Sequence, residues 1–390
     1  MPAPPIEALF VNSGLLGQRT FARFVDRAFD HDPEIRARQV VLTDDLTPID
    51  RIIRRVLCMR LAPNGSSPLR NADLFRYRAE LNAGLLARRR IAKLERAGAR
   101  CDVLHFHRQG TAYGSLDRMH VTPSIVSIDC TQRLVINRAN SALEARTYAL
   151  NAARDGEIFR AARLIVAASQ WAADCLRIDY PDCLTEILVM PNPVQLEFFD
   201  EAWIEERAAR TVTDGARPRV LFVGGDLIRK GGDDLLAIWR DAQLGRVACL
   251  DLVTSEPIDS ALLSEGITVH PGVTVHSPKW VELWRHADLF TMPTRDEAFG
   301  IVFQEAGAAG LPSVGTRLNS IPELIADDVT GRLVQPGDRT ALAQALTDLI
   351  GNAERRRNMG VRARAAVVRT AHPDVYRGRL AAAIRRVARR

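Results

Sequence analysis

Short apolar runs, each followed by a polar or glycine-containing loop and then by a helical pattern, recur in both halves of this 390-residue chain. Such runs are typical of buried strands, and their alternation with helices predicts parallel sheets of the α/β class. The chain is too long for one ordinary domain, and its 47% hydrophobic content is enough for two cores. The sequence therefore predicts two α/β domains, each with a parallel sheet.

The charged stretch 198–217 is poor in periodic core residues and is predicted to be the linker between the domains. The first domain is then expected at 1–197 and the second at 218–370. The last residues, 371–390, are expected to form a C-terminal helix, for which packing back on the first domain is one option.

Two glutamates, Glu297 and Glu305, stand eight positions apart in the segment PTRDEAFGIVFQEAGAAGLPSVGT, residues 293–316. The pattern predicts a strand up to Met292, a loop that contains Glu297, and a helix from Gly300 that contains Glu305. Gly300 allows the backbone to approach a ligand, and the free N–H groups of the first helical turn can bind an anion. Two carboxylates beside that site can accept hydrogen bonds from sugar hydroxyls. The alternative is an acidic first turn that only complements the helix dipole.

The stretch VLFVGGDLIRKGGDDLL, residues 220–236, predicts a buried strand, a glycine loop with Gly224 and Gly225, and a helix that begins near Gly231. A strand, a glycine loop and a helix in this order suit phosphate binding, and Lys230 is placed to neutralise a diphosphate leaving group. Glycines also serve in tight turns, which is the simpler interpretation of this loop.

The first half of the chain has a comparable loop. Residues 8–12 predict a short strand that leads through Gly14 and Gly17 into a helix. These glycines either keep the loop close to a ligand or only form a turn. The GxGxxG fingerprint is absent from this loop, which argues against a dinucleotide-binding dehydrogenase.

A third strand is predicted in DVLHFHRQGTAYGS, residues 102–115, where alternation places His105 and His107 on one face. A histidine at the C-terminal end of a strand in an open α/β sheet commonly faces the ligand crevice. Taken alone, such a pair is more often structural, and no third residue has a metal-ligand spacing to it. Asp129 ends another apolar run, residues 124–128, and is a candidate to face the same crevice.

The segment around the two glutamates, continued by SIPELIADDVTGRLVQPGD, resembles the motif of glutamate, seven residues and glutamate in the family 4 glycosyltransferases. This resemblance covers residues 288–338 and implies a retaining enzyme with the GT-B fold, in which two Rossmann-like domains face a central cleft. It implies that Glu305 holds the ribose of the nucleotide and that Glu297 lies against the donor sugar. It also implies that the sugar and the phosphates face the backbone of Phe299, Gly300 and Ile301.

Combined with the residue patterns, the resemblance gives catalytic roles to Glu297, Lys230 and His107 and an acceptor contact to Asp129. It gives donor binding to Glu305, Arg229, Gly224, Gly225, Phe299, Gly300, Ile301, Gly14 and Gly17. The chain departs from the family pattern at Gly225, because an arginine usually follows the glycine after this strand. Either Arg229 reaches the diphosphate, or Lys230 works with a cation from elsewhere, or the activity is weakened.

The resemblance implies a hexosyltransferase of class EC 2.4 that uses a UDP-sugar or GDP-sugar donor. The acceptor would be a hydroxyl of a glycan or lipid-linked saccharide, in the synthesis of cell-surface polysaccharide or glycoconjugates. No cofactor or metal ion is expected, since the only Asp-x-Asp sequence, Asp30 to Asp32, is predicted to be a surface loop. The alternatives are a catalytically silent GT-B scaffold that binds a nucleotide sugar, and an epimerase or phosphorylase on the same fold.

Basic residues are concentrated in residues 51–100, which hold thirteen Arg or Lys and three acidic residues. In residues 49–61, apolar side chains share one face of a predicted helix beside arginines, which suits contact with a membrane surface. A solvated surface is the alternative. Nucleic acid is not an expected partner, because the basic residues are not interleaved with stacking aromatics.

The six cysteines form no CxxC pair, which favours reduced thiols. The N-terminal sequence MPAPPIEALF lacks the basic and apolar regions of a signal peptide, and no apolar run is long enough to span a membrane. The expected location is cytoplasmic, with peripheral contact at the inner membrane face as an option.

Overall fold

The computed structural model describes residues 4–15, 17–63, 67–213 and 217–389. The chain divides into two compact units. The first consists of Met1–Pro193 with Tyr376–Arg390, and the second of Val194–Val375. Each unit contains a six-stranded sheet whose strand pairs are all parallel, as the alternation of strands and helices predicted.

The first sheet has the strand order β2-β1-β3-β4-β5-β6. Its strands are β1 (Ile6–Asn12), β2 (Ile35–Val41), β3 (Val103–Phe106), β4 (Ser124–Ile128), β5 (Leu164–Ala167) and β6 (Ile187–Val189). Its helices are α1 (Gln18–Phe29), α2 (Pro48–Leu57), α3 (Phe75–Arg96), α4 (Leu116–Met119), α5 (Gln132–Ile136), α6 (Ala142–Ala161) and α7 (Gln170–Asp179). Because the chain crosses β1 on its way from β2 to β3, the strand order reverses between β1 and β3.

The first sheet is apolar on both faces. Alternate residues of β1 belong to two different core clusters, with Leu9 in one and Phe10 in the other. The second cluster also contains Tyr376, Leu380 and Ile384 of the C-terminal helix, Pro373–Ala388. This helix therefore packs against the same face of the first sheet as Phe10.

The second sheet has the strand order β12-β11-β10-β7-β8-β9, with its reversal between β7 and β10. Its strands are β7 (Arg219–Val223), β8 (Cys249–Val253), β9 (Ile267–His270), β10 (Leu289–Met292), β11 (Ser313–Thr316) and β12 (Gly331–Val334). Its helices are α8 (Ala202–Thr213), α9 (Gly232–Asp241), α10 (Pro278–His286), α11 (Ile301–Ala308), α12 (Ile321–Leu324), α13 (Arg339–Gly351) and α14 (Ala353–Ala371), so that the C-terminal helix is α15. Short 3₁₀ turns occur at Gln109–Ala112, Leu196–Phe198, Leu244–Arg246 and Ser260–Leu262.

The charge of residues 198–217 suggested a linker, but the structure places this stretch within the second unit. It contains α8, and its aromatic residues Phe199 and Trp203 are buried in the core of the second unit. Arg207, one helical turn after Trp203, is also buried and donates a hydrogen bond of 3.3 Å to the carbonyl of Gly310. The prediction failed because these few anchoring side chains are hidden among exposed charged residues of the same helix.

Within the described ranges, the structure contains no helix with both the length and the apolar character needed to cross a membrane.

Candidate functional site

The loops that follow β7 and β10 lie side by side at the carboxyl edge of the second sheet. The backbone N–H of Arg295 and the hydroxyl of Thr294 both donate to the carbonyl of Arg229, at 2.9 and 3.0 Å. This is also the point where the strand order reverses. In open parallel sheets, ligands bind at such a reversal, so the two loops frame a candidate ligand site.

Gly231 allows the close approach of these two loops. Its φ of +74° lies in the left-handed region, and a Cβ at this position would clash with the carbonyl of Pro293. The glycine at the end of the first loop is therefore needed for packing. Gly224 is also confined, since a Cβ there would lie 3.1 Å from Cβ and Cγ of Lys230.

Lys230 and Glu297, two of the three predicted catalytic residues, form an ion pair across the two loops through Nζ and Oε2. Their side chains are only 14% and 16% exposed, so water screens this pair less than it screens a surface pair. The other carboxylate oxygen of Glu297 accepts a hydrogen bond of 3.1 Å from the backbone N–H of Ala298. The sequence placed both residues near one site but did not indicate that they pair with each other.

Helix α11 begins directly after Gly300, whose φ of +85° lies in the left-handed region. The hydroxyl of Ser320 donates to the carbonyls of Ala298 and Phe299 at 2.6 and 3.0 Å, which fixes the approach to the helix. The side chain of Phe299 is buried, so this residue can offer a ligand only its backbone. At the start of α11 the N–H of Phe303 donates to the carbonyl of Gly300 at 2.9 Å, whereas those of Ile301 and Val302 precede the first helical hydrogen bond and can donate to an anion.

Glu305 lies on α11 one turn after Ile301 and is partly buried. Within the part of the chain that the structure describes, no group donates a hydrogen bond to its carboxylate. Burial raises the pKa of this carboxyl from its ordinary value of 4.5 to about 8, and no cation offsets that shift. The predicted ribose residue is therefore an unpaired carboxyl that is largely protonated at neutral pH.

Arg229 is engaged by groups of both loops. Its Nε donates to Oδ2 of Asp226 at 3.0 Å, and a terminal nitrogen donates to the carbonyl of Asp296 at 2.8 Å. Asp226 therefore orients Arg229. Gly225, where the family pattern has an arginine, has room for a side chain, because a Cβ there would lie 3.7 Å from Oγ of Ser255. Packing does not explain the glycine at this position.

In the first unit, the two predicted loop glycines differ. Gly14 has a φ of +74°, and a Cβ at this position would clash with the hydroxyl of Thr43, so the fold itself requires a glycine there. Gly17 has a φ of −61°, and a Cβ would meet no atom within 4 Å among the described residues. Nothing in the described structure requires a glycine at position 17.

His105 and His107 share one face of β3, as their alternation predicted. The ring of His107 stacks on Phe21 at 3.6 Å, and the buried ring of His105 lies 5.9 Å from the same phenylalanine. Nε2 of His105 is 2.8 Å from the hydroxyl of Ser127. Burial lowers the pKa of His105 to about 3 and holds the pKa of His107 well below its ordinary range, so both rings are neutral at pH 7.

His107 lies directly after β3, at the carboxyl edge where the order of the first sheet reverses. Its Nδ1 is buried and has no hydrogen-bond partner within the described ranges. Asp129 is exposed directly after β4 on the same sheet edge. Because the strands are parallel, the structure brings both predicted residues to one edge of the first sheet.

One residue that links the two loops of the second unit was not indicated by any sequence pattern used above. The guanidinium of Arg295 donates to both carboxylate oxygens of Asp233, at 2.6 and 3.0 Å, and also contacts the carboxylate of Asp234. Asp234 is only 4% exposed and also pairs with Arg339. The adjacent acids in the first turn of α9 and an arginine two positions before Glu297 were the available signal.

The second unit also carries the match to a known family. Residues 217–352, which include Lys230, Glu297 and Glu305, match the model of the family described as glycosyl transferases group 1. The second unit is thus similar to the group 1 glycosyl transferases. The match is to the group 1 family and does not test membership of family 4. Family 4 and its motif of two glutamates therefore stay predictions.

The chain is also similar in sequence to a D-inositol 3-phosphate glycosyltransferase from Xylanimonas cellulosilytica. The two proteins are 30% identical over 217 residues, which are 52% of this chain and 52% of that relative. The chain therefore spans about half the length of this curated relative.

Two solved structures share the fold over nearly their whole length. Sucrose-phosphate synthase from Thermosynechococcus elongatus has a TM-score of 0.73 at 16% identity, covering 98% of this chain and 99% of that one. The HepE protein of Anabaena, solved with UDP and glucose, has a TM-score of 0.64 at 16% identity, covering 97% and 99%. Together with the two parallel sheets, these likenesses confirm the predicted GT-B fold, in which each unit is Rossmann-like.

Proposed function

We propose that this chain is a retaining hexosyltransferase that moves a sugar from a UDP-sugar or GDP-sugar to a hydroxyl of a glycan or lipid-linked saccharide. The observation that carries the proposal is the ion pair of Lys230 and Glu297 at the strand-order reversal of the second sheet. The cation and the helix N-terminus at this edge suit the diphosphate of a nucleotide sugar, and the carboxylate suits its sugar hydroxyls.

In this proposal, the unpaired carboxyl of Glu305 binds the hydroxyls of the ribose. A carboxyl with no protein partner has hydrogen-bonding capacity left for a ligand, and two ribose hydroxyls supply the missing groups. The first turn of α11 and the backbone of Phe299, Gly300 and Ile301 then face the diphosphate and the sugar. The match to group 1 glycosyl transferases over residues 217–352 supports this assignment.

The proposed reaction breaks the bond between the anomeric carbon of the sugar and the diphosphate oxygen. The diphosphate leaves with the electron pair, and the ammonium of Lys230 stabilises the developing charge. The acceptor oxygen forms the new bond to the anomeric carbon and gives its proton to the departing phosphate oxygen. For this step, the donor phosphates must compete with Glu297 for Lys230, which frees Glu297 to contact the sugar.

Several parts of the proposal rest on the sequence resemblance. They are the retention of configuration and a role in cell-surface polysaccharide or glycoconjugate synthesis. Independence from a metal ion or cofactor is proposed from the sequence, whose only Asp-x-Asp lies in a predicted surface loop, and a cytoplasmic location from the cysteine pattern. His107 and Asp129 are proposed contacts for the donor sugar and the acceptor. The neutral ring of His107 suits a hydrogen bond to a sugar hydroxyl, because a neutral imidazole can both donate and accept.

Calorimetric titration with UDP and GDP tests the proposed donor site. We expect one of the two nucleotides to bind the wild-type protein, and Glu305→Ala to weaken that binding by about 10- to 100-fold, the size of one or two charged hydrogen bonds. Glu354→Ala is the matched control, since Glu354 is an exposed residue on α14. An unchanged affinity of the Glu305→Ala protein would remove the ribose assignment.

A catalytically silent GT-B scaffold is the second candidate, and Gly225 favours it. The chain has no arginine where the family pattern has one, and Arg229 is held by Asp226 and the carbonyl of Asp296. A silent scaffold would bind the nucleotide but never release it from a sugar donor. Binding and turnover must therefore be measured separately.

A further inference from the structure

Helix α2 presents apolar side chains to solvent instead of to a core. Ile49, Ile52 and Val56 are 57%, 62% and 60% exposed, and their spacing places them on one face of the helix. The row continues past the end of the helix with Met59 and Leu61, which are 51% and 70% exposed. Together these five residues form the α2 surface.

The opposite side of α2 is held against the first unit by a buried carboxylate. Asp50 is the only fully buried residue of the helix, and it accepts hydrogen bonds from the backbone N–H and the hydroxyl of Thr47, at 3.0 and 2.7 Å. Arg89 of α3 pairs with the same carboxylate at 3.1 Å. The Thr47 contacts cap the start of α2, and the pair with Arg89 joins the helix to α3, so the α2 surface cannot turn inward without breaking that ion pair.

The rest of the circumference of α2 carries unneutralised positive charge. Arg51, Arg54 and Arg55 are exposed, and within the described ranges none of them pairs with a carboxylate. Asp50 is the only acidic residue between positions 46 and 72, and it is already bound by Thr47 and Arg89. The helix therefore combines exposed apolar side chains with exposed cations and carries no exposed acid.

We propose that the α2 surface docks on an anionic lipid bilayer. Its apolar side chains would enter the boundary between headgroups and acyl chains, and the arginines would contact lipid phosphates. A second copy of the chain fits less well, because a two-fold symmetric contact through this face would bring the same arginines of both copies together. Nucleic acid would meet the arginines but would leave the isoleucines without an apolar environment.

Docking on a bilayer would also restrict the chemical class of the acceptor, and this step rests on the proposed transferase function. The loop 42–47 leads from β2 into α2 and leaves the carboxyl edge of the first sheet, the edge that carries Gly14 and His107. The side chain of Thr43 in this loop packs beside Gly14. A bilayer bound to α2 therefore lies next to the edge proposed for acceptor contact, which favours a lipid-linked saccharide.

Co-sedimentation of the full chain with vesicles tests the docking surface without donor or turnover. We expect binding to vesicles that contain phosphatidylglycerol and little binding to pure phosphatidylcholine. The double variant Ile52→Glu/Val56→Glu should weaken binding about tenfold or more, and replacing Arg51, Arg54 and Arg55 by Gln should weaken it about fivefold for each arginine. The matched control is Ile178→Glu/Leu184→Glu, which changes two side chains of the first unit that are 73% and 94% exposed, and should bind as the wild type does.

Three results would overturn the docking proposal. They are no binding of the wild type to the anionic vesicles, equal binding of the Ile52→Glu/Val56→Glu protein, and a wild-type dimer in light scattering that this variant converts to a monomer. UDP and GDP titration of the same variant separates this proposal from the proposed function. If the variant still binds the nucleotide but no longer binds vesicles, the docking proposal is supported. If it loses nucleotide affinity but still binds vesicles, the docking proposal is contradicted, and the donor site is not independent of α2.

Discussion

At the scale of residues, the second unit holds two carboxyls in contrasting environments. Glu297 is paired with Lys230, whereas Glu305 has no partner within the described ranges and its pKa is raised to about 8. A carboxyl that stays neutral can donate as well as accept a hydrogen bond. Glu305 is therefore suited to a ligand with several hydroxyls, and its protonation affects the stability of the protein.

The first prediction at this scale concerns the pH dependence of that stability. Between pH 4.5 and about 8, the unfolded chain has released the proton of Glu305 while the folded protein retains it. The free energy of unfolding therefore falls as pH rises through this window, by about 1.4 kcal/mol for each unit of pKa difference. Glu305→Gln is always neutral, so we expect it to be about as stable as the wild type near pH 5 and more stable near pH 9.

Urea unfolding of both proteins across this range measures the difference. Glu354→Gln, an exposed substitution in the same unit, is the control and should follow the wild type at every pH. A stability difference between Glu305→Gln and the wild type that does not change with pH would contradict the assigned environment of Glu305.

The sequence allowed us to predict which residues belong to the site, but not which of them contact each other. The glutamate spacing and the glycine loop indicated Glu297, Glu305 and Lys230, because each stands at a fixed place relative to a strand end. The pairing of Lys230 with Glu297 joins residues 67 positions apart, and no local pattern encodes it. The same holds for the stacking of His107 on Phe21, which depends on how α1 packs against β3.

At the scale of elements, the site depends on two loops that are bound to each other. Arg295 links the loop after β10 to Asp233 and Asp234 in the first turn of α9. This network holds the Glu297 loop against the Lys230 loop, although Arg295 is not proposed to touch the ligand. Arg295 is therefore a positioning residue.

We predict that Arg295→Ala lowers the free energy of unfolding by about 1–3 kcal/mol, because Asp234 is buried and loses one of its two cations. Hydrogen exchange of the amides in residues 294–300 should become faster, which a purely global loss of stability would not confine to this loop. Arg285→Ala is the control, since its pair with Glu206 is about half exposed and should contribute little to stability. Unchanged exchange in residues 294–300 would show that Arg295 does not position the loop.

Elements with regular patterns could be predicted, and those that depend on tertiary packing could not. The strands β7 and β10 and the helix α11 follow from apolar runs and from glycines at their ends. Helix α8 was missed because buried residues such as Trp203 and Arg207 stand among exposed charges, so that no regular apolar pattern marks the helix. The apolar face of α2 was visible in the sequence, but its exposure depends on the burial of Asp50, which only the structure shows.

At the scale of the whole molecule, the chain carries two Rossmann-like units, each with one reversal of strand order. The reversal in the second unit holds Lys230 and Glu297, and the reversal in the first lies beside His107. The family match lies in the second unit, over residues 217–352, whereas the proposed lipid surface belongs to the first unit. We expect the donor to be selected by the second unit and the acceptor by the first.

The most direct test of the account is the release of free UDP or GDP from a panel of sugar donors in the presence of EDTA, with anionic vesicles that carry candidate lipid-linked acceptors. We predict that the wild-type protein releases one nucleotide, that Lys230→Ala lowers the rate by about 100- to 1000-fold, and that Lys279→Ala, an exposed lysine on α10, has no effect. No release from any donor by a protein that binds the nucleotide, or an equal rate for Lys230→Ala, would contradict the proposed transferase function.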